Sequence, residues 1–179
     1  MPRFLVSKFL DSIIELLIKG VPESFLFILA IYILTRIKFD LKKYLFMSLI
    51  ITFISYITKW LPINMGTHTM LSLLILILIF IIVNKVNLQN IIKSIISVIV
   101  VAIIIVISEV LNELLLVAIF GQAETKKLFD FGSAVIISVC MLPSTIIFAF
   151  ILLILYFILL KYDKNKKVKD GKASEKIGE

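Results

Sequence analysis

The feature that most constrains this chain is its series of long apolar runs, rich in Ile, Leu, Val and Phe and separated by short charged patches. Each run is close to the length that crosses about 30 Å of hydrocarbon as a helix. Inside lipid, every backbone N–H and C=O group must find a partner within its own segment. Long runs without a two-residue alternation therefore favour helices over a β-barrel. The sequence predicts an all-α, polytopic transmembrane helix bundle.

Charge and cysteine content exclude several classes of function. Hydrophobic residues make up 61% of the chain, whereas a soluble domain is about 45–50% apolar. The net charge of +7 comes mainly from lysines in predicted loops and the tail. We interpret them as topology determinants and contacts with anionic lipid, not as a nucleic-acid-binding surface. The single cysteine, Cys140, permits no intrachain disulfide and no cysteine-based zinc site. We expect no metal and no cofactor.

Residues 1–20 have the pattern of an amphipathic helix, with polar side chains three or four residues apart. Spanning the bilayer would bury three or four charges, at about 2.5–3.5 kcal/mol each near the centre. We therefore expect an interfacial helix that ends at Gly20-Val21-Pro22. The alternative is that its polar face packs against the bundle.

The bundle itself is predicted over residues 21–160, with five spans, or six if the N-terminal helix also crosses. The predicted spans are 22–37, 44–61, 67–84, 94–120 and 133–160. The last run exceeds the bilayer thickness, and Pro143 is expected to kink it. The tail, residues 161–179, is basic and poor in apolar residues, so we expect it to be disordered.

Lysine and arginine counts predict the orientation. With five spans, thirteen of these residues fall on the side of the tail and six on the other side. The positive-inside rule then predicts a multi-pass protein of the cell membrane with a cytoplasmic C-terminus. A sixth span at the N-terminus would leave the orientation of the other five unchanged.

Polar residues from four predicted segments fall in the outer half of this topology. They are Glu23, Lys59, His68, Glu109, Asn112 and Glu113. Glu109 and Glu113 are four residues apart and are expected to share a helix face. Two carboxylates in a low dielectric need a proton or a cation, and Lys59 and His68 are the available basic partners.

These six residues predict a pocket, open to the outside, that binds a polar or cationic ligand. A purely structural interpretation is that Lys59 or His68 neutralises Glu113 while the other side chains reach the interface. His68 alone does not indicate a metal site. The chain contains no HExxH, no GxSxG, no glycine-rich phosphate loop and no kinase signature. We expect that it is not an enzyme.

Residues 13–80 also carry a resemblance. The stretch IIELLIKGVPESFLFILAIYILTR (13–36), then KFDLKKYL and LPINMGTHTMLSLLILILI (61–79), resembles the membrane domain of Agr-type sensor histidine kinases, the peptide-pheromone receptors of certain Firmicutes. The resemblance implies a domain that receives an extracellular signal and passes it inward. The 19 residues after Leu160 are too few for a kinase part, so such a domain would signal through another protein.

Two functional hypotheses follow. The first is a sensor or regulatory module that binds a small ligand or peptide and works through a cytoplasmic or membrane partner protein. The second is a small transporter subunit, the substrate-binding membrane component of an uptake system. We find no small-xxx-small coupling motif on an inner-facing helix, which counts against the transporter. The lipid bilayer is a partner in both cases, and nucleic acid in neither.

Overall fold

The computed structural model describes residues 10, 12–58 and 65–175, and these residues are mainly helical. We number the α-helices α1 to α6. Their bounds are Val21–Thr35, Leu41–Thr58, Met65–Asn84, Leu88–Phe120, Gln122–Phe131 and Ala134–Glu175. No strand occurs in the described ranges, and the predicted all-α class is confirmed.

Three helical segments are long and apolar enough to cross a membrane, judged by length and composition. They are Ser12–Thr35, Asn90–Phe120 and Val135–Asn165, and Ser72–Asn84 is a shorter apolar helix. Large apolar side chains such as Leu114, Phe150 and Phe157 are exposed on their outer faces, as expected where a helix faces lipid and not water. The structure is thus compatible with a membrane, while five or six spans stays a prediction.

The N-terminal part of the chain corrects one prediction. Helical backbone continues from Ser12 to Thr35, so the break predicted at Gly20-Val21-Pro22 is wrong. The chain forms a π-helical turn, Leu16–Gly20, in which the N–H of Val21 bonds to the carbonyl of Leu16. Pro22 follows in the first turn of α1, where a missing N–H is tolerated. Half of the predicted interfacial helix, residues 1–9 and 11, lies outside the described residues.

The tail also differs from the prediction. Helix α6 continues past the apolar run to Glu175, although residues 161–179 are predicted to be disordered. One feature of the sequence permits helix here. No proline follows Pro143, so no later residue lacks the N–H that the helical ladder needs. Residues 176–179 lie outside the described part.

The core lies where α1, α2, α3, α4 and α6 meet. Phe80 and Phe148 are its largest fully buried side chains. On α1, buried positions recur every three or four residues, at Ile28, Ile31 and Thr35, so one stripe of this helix faces the core.

Small hydroxyl residues are buried beside this core. Ser48 donates to the carbonyl of Tyr44 at 2.9 Å, and Thr52 donates to the carbonyl of Ser48 at 2.8 Å. Bonds one turn back satisfy the hydroxyls and let helices approach closely. Ser48 and Thr52 are four residues apart, which is the small-xxx-small spacing, and both are buried. The lack of such a motif therefore no longer counts against a transporter.

One end of the bundle is rich in cations. Arg36, which caps α1 in a left-handed conformation, pairs with Asp163 of α6 and lies 6.0 Å from the ring centroid of Tyr162. The hydroxyl of Tyr32 donates to Oδ1 of Asn84 at 2.8 Å, which brings the end of α3 to the same place. We call this region the basic end. Its cations are Arg36, Lys38, Lys42, Lys43, Lys85, Lys161 and Lys164.

Candidate functional site

A small cleft between α1, α4 and α6 gathers two carboxylates and three hydroxyls. Its lining residues are Glu23, Ile105, Ser108, Glu109, Ser144, Thr145 and Phe148. The cavity volume is about 10 Å³, which is room for about one water molecule. Glu23 precedes Arg36 by thirteen residues on the same helix, or about 20 Å at the α-helical rise. The cleft therefore lies well away from the basic end.

An ammonium group pairs with one of the two carboxylates that line the cleft. Nζ of Lys19, in the π-helical turn, lies 3.3 Å from Oε1 of Glu109. The side chain of Lys19 is 19% exposed and that of Glu109 is 44% exposed. A π turn inserts an extra residue into the helix and is often found at functional sites. Here it belongs to the segment that carries the cation of this ion pair.

Two serines present oxygen lone pairs to the cleft. The hydroxyl of Ser108 donates to the carbonyl of Ile104 at 2.8 Å, and that of Ser144 donates to the carbonyl of Met141 at 2.6 Å. A hydroxyl has one hydrogen and two lone pairs. Since both hydrogens point to backbone, what these side chains offer to a group in the cleft is acceptor oxygen.

Thr145 is the least satisfied of the lining residues. It is 8% exposed, and its Oγ1 is buried with no hydrogen-bond partner among the described residues. The usual acceptor for a helical threonine is the carbonyl one turn back, which here belongs to Met141 and already accepts the hydroxyl of Ser144. A buried polar atom without a partner is costly. Thr145 therefore presents an oxygen that a bound group would satisfy.

Asn112 joins α4 to α6 beside the cleft. It is 1% exposed, and its Nδ2 donates to the carbonyl of Cys140 at 3.0 Å. Its Oδ1 has no partner in the described part of the chain. Asn112 lies one turn beyond Ser108 on α4, and Pro143 interrupts the ladder of α6 close to its acceptor. The contact joins the two helices within one turn of Pro143, which has no N–H to donate to the hydrogen-bond ladder of α6.

The structure brings together two of the six predicted site residues. Glu23 from α1 and Glu109 from α4 both line the cleft. Asn112 lies at the α4–α6 contact just described and not among the lining residues.

Of the other three predicted residues, one lies away from the cleft and two have side chains outside the described part of the structure. Glu113 is exposed and makes no hydrogen bond or ion pair with any described residue. A step of four residues turns a helix by about 40° beyond a full circle, which is enough to separate Glu113 from the narrow cleft. Lys59 lies outside the described residues, and so does the side chain of His68, whose backbone is in α3.

Sequence reasoning missed Lys19 and the three hydroxyl residues. The predicted break at Gly20 separates Lys19 from α1, although its spacing of four from Glu23 indicates a shared face if the helix continues. Ser144 and Thr145 follow Pro143 directly, a position at which small polar side chains often satisfy a disrupted ladder. Among the described residues, no three His, Cys, Asp or Glu side chains are grouped so as to hold a metal ion.

Comparisons of this chain with protein-family models, curated proteins and solved structures find no match. The resemblance to Agr-type receptors therefore stays a prediction. The proposed function therefore depends on the cleft and on the contact that α1 and α6 also make at the basic end.

Proposed function

We propose that the chain crosses the cell membrane five times, with α2, α3, α4, α6 and the continuous helix Ser12–Thr35 as the spans. Because residues 12–20 continue into α1, they lengthen the first span instead of adding a sixth. The positive-inside rule then directs the basic end, and with it the C-terminus, to the cytoplasm. The cleft falls in the outer half of the bundle.

We infer that the protein is a sensor or regulatory module that binds a ligand in the cleft and works through a partner protein. One observation carries this proposal. Helices α1 and α6 line the cleft, with Glu23 and Thr145, and the same two helices form the Arg36–Asp163 pair at the basic end. A ligand that changes how α1 and α6 pack at the cleft would change the geometry of that pair.

This coupling uses ordinary properties of packed helices. Helix interfaces switch by translations and rotations of about 1–2 Å, and packed cores favour discrete arrangements over continuous deformation. A shift of α1 against α6 would move the lysines of the basic end, which are placed to contact a partner protein or anionic lipid. The resemblance to Agr-type receptors implies the same direction, from an outer ligand to an inner response.

Spin labels at the basic end test the coupling. Labels on cysteines replacing Lys38 and Lys164, both exposed, in a Cys140→Ala background report the separation of the two sides of the pair in lipid nanodiscs. We expect Glu109→Gln to shift the measured distance by about 1–2 Å. Glu113→Gln, which removes a carboxylate outside the cleft from the same helix, should leave it unchanged. Equal distances in both variants would refute the coupling.

A flux measurement separates this proposal from a transporter. Proteoliposomes holding the sensor should accumulate no labelled solute in response to an imposed gradient. Accumulation that Glu109→Gln abolishes and Glu113→Gln preserves would identify the protein as a transporter subunit.

A further inference from the structure

We propose that the ligand of the cleft is a single monovalent metal cation, of the size of sodium or potassium, and that it exchanges with the ammonium group of Lys19 on Glu109. The proposal rests on the cleft being the ligand site of the proposed function and names the class of ligand. It follows from the size of the cleft, its donor atoms and the charge already present.

The size of the cleft excludes most organic ligands. A cavity of about 10 Å³ holds one water-sized group, whereas pockets for drug-sized molecules measure about 300–1,000 Å³. Phe148, which is 2% exposed, is the largest apolar residue that lines the cleft. A dehydrated alkali cation fits this space without displacing a core side chain.

The donor atoms favour a cation over an anion. The lining polar groups are carboxylates and hydroxyls, and the hydrogens of Ser108 and Ser144 are used in backbone bonds. What faces the cleft is oxygen, the donor preferred by hard cations. Thr145 adds a second, independent indication, since its buried Oγ1 has no partner in the described structure and lines the cleft.

The charge already present indicates a monovalent ion. Lys19 supplies one positive charge to Glu109 at 3.3 Å, so an incoming ion of single charge conserves the electrostatic balance when it takes that place. A divalent ion would leave one additional positive charge in a low dielectric when it takes the place of the ammonium group.

The ammonium group of Lys19 is able to move away from Glu109. Its flexible four-carbon stem can carry the charge towards the membrane interface, and the side chain is already 19% exposed. Lys19 is therefore an internal competitor that occupies Glu109 until a metal cation replaces it. Removing its charge should strengthen the binding of the metal cation.

Thermal unfolding of the purified full-length chain tests this. Sodium chloride and potassium chloride are compared with choline chloride at the same ionic strength, because choline is too large for the cleft. We expect one alkali cation to raise Tm by about 3–6 °C at ten times its dissociation constant. Glu109→Gln should abolish the rise, and Glu113→Gln should preserve it. Identical wild-type Tm values in all three salts would overturn the proposal.

Two further variants address Lys19 and Thr145. Lys19→Gln, or Lys19→Met if the first variant fails to fold, should lower the cation concentration at half-maximal stabilisation about tenfold, as expected when a competing charge is removed. Thr145→Val, which replaces the hydroxyl by a methyl group of similar size, should raise it. An unchanged or higher midpoint in both Lys19 variants would contradict the exchange.

The outcomes separate this inference from the proposed function. If no alkali cation changes Tm but Glu109→Gln still moves the labels at positions 38 and 164, the ligand class is wrong and the coupling stands. If an alkali cation raises Tm while those labels keep their distance, the cation site stands and the sensor proposal falls.

Discussion

Arg36 and Asp163 form an ion pair that joins the C-terminal end of α1 to the last third of α6. The two side chains are 45% and 40% exposed, and ion pairs of that kind contribute about 0–1 kcal/mol. The pair therefore does little to hold the fold together. Its position matters more, because it connects, at the basic end, the two helices that also line the cleft.

Exchanging the charges of Arg36 and Asp163 tests whether the pair positions α1 against α6. Arg36→Asp alone should change the unfolding free energy by no more than about 1 kcal/mol, yet it should widen the distance between labels at positions 38 and 164. The double variant Arg36→Asp with Asp163→Arg should restore the wild-type distance, since it restores the attraction. Failure of the double variant to restore the distance would show that the pair does not position α1 against α6.

Asn112 should contribute more to stability than its exposed neighbours. Asn112→Ala removes the bond to the Cys140 carbonyl and leaves a small void, so we expect a loss of about 1–2 kcal/mol in unfolding free energy. Leu111→Ala is the matched control on the same helix, because Leu111 is 44% exposed, and it should change stability by less than about 0.5 kcal/mol. Denaturant unfolding in detergent measures both, and equal losses would contradict the α4–α6 contact.

Phe148 and Phe150 provide a second matched pair. Phe148 is buried in the core and beneath the cleft, whereas Phe150 is 64% exposed. Phe148→Ala should cost roughly 3 kcal/mol, because packing contacts are what hold helices together in lipid. Phe150→Ala should be nearly neutral. A large loss for both variants in thermal unfolding would indicate that α6 is rotated from the orientation described.

Reporter fusions test the orientation. Alkaline phosphatase fused after residue 126, in α5, should be active because we place α5 outside the cytoplasm, and a fluorescent protein at the C-terminus should be fluorescent. The reverse pattern would direct the basic end outward, against the distribution of lysines.

Helix content was predictable from the sequence because apolar runs of this length leave the backbone few alternatives in lipid. The meeting of Glu23 and Glu109 was also predictable, since short connections make neighbouring helices antiparallel and place both residues far from the basic end. The position of Pro22 was misleading. A proline is compatible both with the start of a new helix and with the first turn after a π-helical segment. The sequence around Pro22 therefore does not distinguish a break from the π turn that the structure contains.

Rotation of a helix about its axis was the part that the sequence could not supply. Nearly every side of α4 and of the first part of α6, residues 134–160, is apolar, so the sequence does not reveal which stripe faces the core. Glu113 was therefore grouped with Glu109, although the structure turns it outward. Ser144 and Thr145 were overlooked for the same reason, since only packing shows that they face the cleft.

The most direct test of the central claim is the distance between spin labels at positions 38 and 164 in nanodiscs, measured in choline chloride and then in sodium or potassium chloride. We predict that one alkali cation shifts this distance by about 1–2 Å in the otherwise wild-type chain, and that Glu109→Gln removes the response. A distance that is the same in every salt, with and without Glu109, would contradict a cation site coupled to the basic end.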